Sequence, residues 1–253
     1  MARLIALANQ KGGVGKTTTA INLAASLAVA ERRCLIVDCD PQGNATTGLG
    51  LEKQPGGLYE LIFGAQISQC VKETGVPGLH IIPSSPEMIG AEVEMMEKDH
   101  RETLLKEALG SVTARYDYIF LDCPPSLGFL TINALVAAHT VILPLQCEYY
   151  ALEGLSELLK TIRAVRGGLN PELRLEGILL TMFDVRNNLS RQVAEEVRSH
   201  FKGLVFETVI PRNVRLSEAP SHGQPVLLYD IRSKGAQSYL ALAREIMERE
   251  SRA

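Results

Sequence analysis

Tryptophan is missing from this 253-residue chain, and six Phe and seven Tyr supply all its aromatic rings. Its core must therefore be aliphatic, built from Leu, Ile, Val and Ala. No apolar run approaches the roughly 18 residues of a membrane-spanning helix, so none is expected. Met-Ala-Arg leads directly into a short apolar run, without the longer apolar region and small-residue cleavage site of a secretory signal. No C-x-x-C pair occurs among the five cysteines, Cys34, Cys39, Cys70, Cys123 and Cys147. All but Cys70 lie in or beside apolar runs, so buried, reduced thiols and a reducing cytoplasm are expected. Excess positive charge is also lacking: 26 basic against 29 acidic residues give −3. That excludes a coat of positive charge but not a local basic patch. No Pro/Gly/Ser linker, internal repeat or low-complexity tract divides the chain. One domain over 1–253 is expected, large enough to need no disulfide or structural metal.

What the chain has in abundance is short apolar runs. Leu4–Ala8, Cys34–Asp38, Leu79–Pro83, Tyr118–Asp122, Val141–Leu145, Gly177–Met182 and Val205–Ile210 read as strands. Most do not alternate apolar with polar, which marks a parallel sheet covered on both faces. Helical periodicity follows Gly15 and recurs in Arg101–Leu109, Leu152–Arg166, Ser190–Phe201 and Gly235–Glu250. The fold class is thus α/β: a doubly wound, mostly parallel sheet with helices on both faces, in three layers. The charge-rich Glu92–Glu107 reads as a solvated helix surface.

Between the first strand and first helix stands Lys11-Gly12-Gly13-Val14-Gly15-Lys16-Thr17-Thr18. Glycines let backbone N–H groups approach phosphate oxygens without a Cβ in the way. The helix start adds unpaired N–H groups and the positive dipole end. Lys16 can reach the β- and γ-phosphates, Thr17 can ligate Mg²⁺, and Thr18 can donate to the α-phosphate. Gln10 replaces the first Gly of the ordinary G-x-x-x-x-G-K-[ST] pattern, and a further lysine, Lys11, precedes the glycines.

Three carboxylates, Asp38, Asp40 and Asp122, stand at or just beyond strand ends, where a parallel sheet opens its ligand crevice. Asp122, closing Tyr-Ile-Phe-Leu-Asp, has the setting of a Mg²⁺-holding aspartate. Asp40 in Asp38-Cys39-Asp40-Pro41 can orient the attacking water, with Asp38 as the alternative and as a second metal-side carboxylate.

These segments resemble the ParA/MinD class of P-loop ATPases, and within it the chromosomal ParA branch called Soj. Ala8–Thr19, Asp38–Thr46, Glu148–Gly154 and Ile210–Ser221 carry the resemblance. It implies an ATP-dependent homodimer in which Lys11, the mark of the deviant loop, contacts the opposite subunit's nucleotide. It implies ATP and Mg²⁺ as ligands, slow intrinsic hydrolysis, and base contacts from Pro211 and Asn213. It also implies non-specific binding of double-stranded DNA through Arg186 and Arg215. A ParB-type partner would stimulate hydrolysis, a replication initiator would be a further regulatory target, and the protein would be nucleoid-associated. Thr181 departs from the Asn of MinD-like relatives.

Charge count alone does not separate DNA binding from an ordinary solvated surface. The C-terminal third sets Arg186, Arg191, Arg198, Lys202, Arg212, Arg215, Arg232 and Lys234 against Asp184, Glu195, Glu196, Glu207, Glu218 and Asp230. The alternative, a MinD-like membrane-associated ATPase, needs a basic, bulky amphipathic C-terminal helix. Ala243–Ala253 is mixed in charge and has no aromatic, so no membrane partner is expected. A cluster-bearing or synthetase-like relative would need cysteine settings or substrate segments that the sequence lacks.

Overall fold

A computed structural model describes residues 2–110, 112–148 and 151–252. Tyr149 and Tyr150 of the Glu148–Gly154 stretch lie outside the described residues. The strands are β1 (Arg3–Leu7), β2 (Cys34–Asp38), β3 (Lys72–Glu73), β4 (Leu79–Ile82), β5 (Tyr118–Asp122), β6 (Thr140–Gln146) and β7 (Arg174–Thr181). The helices are α1 (Lys16–Ala28), α2 (Asn44–Gly48), α3 (Leu58–Ile62), α4 (Ile67–Cys70), α5 (Met88–Met96) and α6 (Leu104–Leu109). They continue as α7 (Phe129–Ala137), α8 (Ala151–Gly168), α9 (Asn188–His200), α10 (Val214–Glu218), α11 (Val226–Tyr229) and α12 (Lys234–Arg252).

The sheet order is β3-β4-β2-β5-β1-β6-β7. All its pairs are parallel except β3 with β4. β2 and β5 are buried along their whole length because both faces are covered. Successive side chains of β1 part to opposite faces, as strand geometry requires. Leu4 and Ala6 join the cluster with Leu135 of α7 and Leu158 of α8. Ile5 and Leu7 join the other, with Leu23 and Leu27 of α1 and Tyr239 and Ile246 of α12. The expected three-layer α/β/α architecture is what forms. All five cysteines, Cys70 included, are buried and free.

Two expectations need correction, and one strand was missed. Val205–Ile210 is not a strand: Val205 makes an isolated bridge to Ile178. The Glu207 and Thr208 N–H groups donate to the Glu245 carboxylate of α12, both at 2.9 Å, and so are lost to β7. The two-residue edge strand β3 was invisible because Lys72-Glu73 has no apolar signature. Glu92–Glu107 is not one helix surface, because α5 ends at Met96 and the chain turns through His100, whose φ of 53° is left-handed. α12 buries Ala236, Tyr239, Leu242, Ala243 and Ile246, so its apolar stripe is already used inside the fold. Among the described residues no helix is long and apolar enough to cross a membrane.

Candidate nucleotide site

The chain leaves β1 at Leu7 and must turn sharply before α1. Asn9 fixes the turn: its Nδ2 donates to the Pro144 carbonyl at 2.7 Å, and its Oδ1 accepts the Lys11 N–H at 3.0 Å. Gly13 and Gly15 take left-handed φ values of 74° and 92°, where a side chain would be strained. Val14 is pinned from the other side, since the buried Thr181 hydroxyl donates to its carbonyl at 2.8 Å. Gly12 differs from its neighbours. A Cβ there would meet only Pro125 Cβ, at an ordinary 3.8 Å, so nothing within the chain demands glycine.

Lys16 is buried, and its ammonium donates back to the Lys11 carbonyl at 3.3 Å. Burial pulls its pKa down, opposed chiefly by the charge of Asp122. Lys11 stands apart: its Nζ pairs with Glu148 Oε2 at 2.6 Å, with both side chains 47% exposed.

Asp38 and Asp122 are register partners on β2 and β5, and both are fully buried. Their satisfaction differs sharply. Asp38 Oδ2 accepts the N–H of Thr46 at 2.8 Å and its hydroxyl at 2.6 Å, while Oδ1 accepts the Asp40 N–H at 3.3 Å. Both Asp122 oxygens are buried without a hydrogen-bond partner among the described residues. Burial raises the Asp38 carboxyl to about 6 despite the Thr46 bonds. Burial and then the Asp38 charge raise Asp122 well above the usual range, with Thr17 and Lys16 pulling the other way. An orphaned buried carboxylate beside a threonine hydroxyl and an anion-binding loop suits a hard divalent cation with phosphate ligands. Thr17 and Asp122 thus fit Mg²⁺. Asp40 is nearly buried, and its Oδ1 accepts the Gln42 N–H at 2.9 Å.

Two cavities meet at Gly15 and Thr18. One of about 360 Å³ is lined by Gly12, Gly13, Lys16, Thr17, Asp40 and Pro125. The other, about 520 Å³, is lined by Thr181, Met182, Pro211, Asn213, Leu216 and Tyr239. Together they form a crevice with a charged end and a largely apolar end. Asn213 caps α10, its Oδ1 accepting the Arg215 N–H at 3.0 Å. Pro211 bridges to Phe183 just beyond β7. Met182 lines both cavities with a left-handed φ of 49°, a strained value for a residue with a side chain. Sequence reading missed Met182 and the Thr181 bond. Their one available signal was position, at the carboxyl end of the edge strand β7.

The crevice gathers Gly12, Gly13, Gly15–Thr18, Asp40, Pro211 and Asn213, while Val14, Asp38 and Asp122 are buried and do not line it. Arg186 and Arg215 do not line it. Arg186, 85% exposed, holds Asp184 through two hydrogen bonds of 3.1 and 3.0 Å. Arg215 pairs with Glu218 at 2.7 Å and Asp230 at 3.4 Å.

A glycine loop and Lys-Thr between strand and helix, an unpartnered aspartate on the neighbouring strand, and a parallel sheet beneath define a P-loop nucleoside triphosphatase. The AAA domain family profile matches residues 2–175. The chromosome partitioning protein ParA of Myxococcus xanthus is 59% identical over 254 residues, covering 99% of this chain and 90% of its own. The sporulation initiation inhibitor protein Soj of Bacillus subtilis is 56% identical, covering 97% and 98%. A crystal structure from Mycobacterium smegmatis, described as cobyrinic acid a,c-diamide synthase with bound ATP analogue and magnesium, matches with a TM-score of 0.88. It is 37% identical, covering 99% of this chain and 96% of that one. The chain belongs to the ParA/Soj family of chromosome-partitioning P-loop ATPases.

Proposed function

We propose that this chain, acting as one unit over 1–253, binds Mg²⁺-ATP, pairs face to face with a second copy, and in that state holds double-stranded DNA without sequence preference. Hydrolysis, slow until a ParB-type partner stimulates it, separates the pair and releases the DNA. The work is chromosome or plasmid segregation, in the cytoplasm on the nucleoid, with a replication initiator as a further target. The observation that carries this reading is the contrast between the two loop lysines. Lys16 is buried over its own loop, while the Lys11 side chain is half exposed and, among the described residues, is held by Glu148. An exposed pair of that kind is worth at most about 1 kcal/mol, so Lys11 can leave it for a partner's triphosphate. Gly12, unconstrained within its own chain, keeps the meeting surface flat.

In this mechanism the loop N–H groups and Lys16 cradle the phosphates, with Val14 and Thr18 lining the same turn. Pro211 and Asn213 contact the base. Thr17 and Asp122 would hold Mg²⁺, which when bound would supply positive charge against the phosphates, and Asp38, next to Asp122, fixes Thr46. Asp40 accepts a hydrogen bond from the attacking water and aligns it. Lys11 of the partner stabilises the triphosphate tail in trans, as trans-acting cations do elsewhere.

Arg186 and Arg215 supply phosphate contacts, doubled in the dimer, so DNA affinity should fall steeply with salt. Their carboxylate partners must first be displaced. The Arg215→Glu variant is expected to lose DNA retention in a filter or gel assay while ATP-driven dimers persist; undiminished retention removes Arg215 from the DNA surface. The MinD-like reading is disfavoured because α12 buries its apolar stripe on α1. Sedimentation with anionic liposomes and ATP separates the two, and co-sedimentation of the chain would reverse the choice.

A further inference from the structure

We infer that the outer face of α5 is a docking surface for a cationic amphipathic helix of a partner protein. α5 is apolar on two sides. Met88, Ala91 and Met95 face the core. Ile89, Val93 and Met96, four and three residues apart, form a second stripe and are 73%, 61% and 52% exposed. A helix needs only one apolar face to fold, so the second is available to a partner. Methionine and β-branched side chains on such a stripe suit a groove-free helix contact.

Charge selects the occupant. Residues 86–97 contain Glu87, Glu92, Glu94 and Glu97 and no Lys or Arg. The cations that follow lie at its C-terminal end, Lys98 over the Phe63 ring and Arg101 over the Phe129 ring, each 5.7 Å from the centroid, with Arg101 Nη1 donating to the Met96 carbonyl at 3.2 Å, and the four glutamates outnumber them. A second copy of α5 would bring the same glutamates against these, and an anionic lipid surface would be repelled. A helix with an apolar stripe flanked by Lys or Arg complements both features. The face is also linked to the nucleotide floor. Glu92 Oε1 accepts the Leu130 N–H at 3.1 Å, and a Cβ on Gly128 would meet that oxygen at 2.5 Å. Gly128 and Leu130, at the start of α7 and on the chain that leaves Asp122, therefore abut Glu92 of α5, and a docked helix can bias that segment. That consequence for hydrolysis rests on the ATPase reading above; the docking itself does not.

The probe is a fluorescein-labelled 15-residue Leu/Lys peptide with leucines on one helical stripe, titrated with the full chain by anisotropy. Binding is expected that weakens with salt, is at least tenfold weaker for a scrambled peptide of equal composition, and falls at least tenfold in Val93→Asp. Glu97→Lys is expected to weaken it severalfold. Should Val93→Asp lose its circular dichroism, Ile89→Ala and hydrogen exchange protection of residues 86–97 by the peptide replace it. Equal binding of scrambled and striped peptides, or by the wild type and the folded variants, overturns the proposal. So does loss of self-association in Val93→Asp with peptide binding unchanged. Absence of ATP turnover in the same samples counts against the ATPase reading and leaves the anisotropy result to decide this one.

Discussion

The two ends of the crevice are made differently. The phosphate end is one contiguous loop over two adjacent strand ends, with its charges buried and its turn locked by Asn9 and Thr181. The apolar end is assembled from β7, the 210–217 segment and α12, and its polar groups are mostly occupied in holding those pieces together. One end carries unmet electrostatic demand; the other is nearly self-sufficient. Buried, unmet demand is the better mark of a ligand.

Substitution at Asp122 tests that contrast with the largest effect. Asp122→Asn is expected to lower Mg²⁺-dependent ATP turnover by about 10²–10³-fold, in line with several kcal/mol from a held metal. Without nucleotide the same variant should melt higher than the wild type, because a buried, unpartnered carboxylate beside Asp38 is gone. pH sharpens the point. A carboxyl whose folded pKa lies above its unfolded value near 3.9 holds its proton more tightly when folded. Its contribution is complete below about pH 4 and falls as pH rises through the folded pKa, which burial and the Asp38 charge raise for Asp122. The nucleotide-free wild type should thus lose stability relative to Asp122→Asn as pH rises above about 4. Asp38, raised to about 6 by burial, and His139, lowered by burial and opposite in sense, are present in both proteins and cancel in the difference. Parallel melting curves from pH 4 to 8 would refute the assignment of unmet charge.

Gly12→Val comes next. It is expected to alter monomer stability by less than about 0.5 kcal/mol, since only Pro125 lies near. ATP-dependent dimerisation should fall at least tenfold, and an intact dimer in sedimentation would show that the loops do not meet there. The smallest effect is at the boundary between the two ends. Thr181→Val removes the hydroxyl from a buried carbonyl and should cost about 1–2 kcal/mol by denaturant titration. ATP affinity should drop severalfold as Val14 loosens, and a Kd within twofold of wild type would make the bond purely structural.

Much of this was legible because the information was local. The loop Lys11–Thr18 is a single word of sequence, and Cys34–Asp38 and Tyr118–Asp122 are fully buried strands whose unbroken apolar character announces a covered parallel sheet. Asp38 and Asp122 were visible as strand-end carboxylates, but only the register shows that one is satisfied and the other is not. Val205–Ile210 had strand composition, and Phe206 and Ile210 still donate to β7, yet Glu245, distant in sequence, took the Glu207 and Thr208 donors between them. Asp184, Glu218 and Asp230 were visible as charges offsetting Arg186 and Arg215, but only the fold shows which carboxylate pairs with which arginine. Met182 gave no signal beyond its place, because strain is a property of φ and ψ, not of residue type.

The coupling of fuel to assembly through Lys11 is tested most directly by sedimentation velocity in a hydrolysis-blocked Asp40→Ala background with Mg²⁺-ATP. The Asp40→Ala chain should sediment as a dimer with ATP and as a monomer with ADP, and adding Lys11→Ala should leave ATP bound but the chain monomeric. A full ATP-dependent dimer lacking Lys11 would contradict the account.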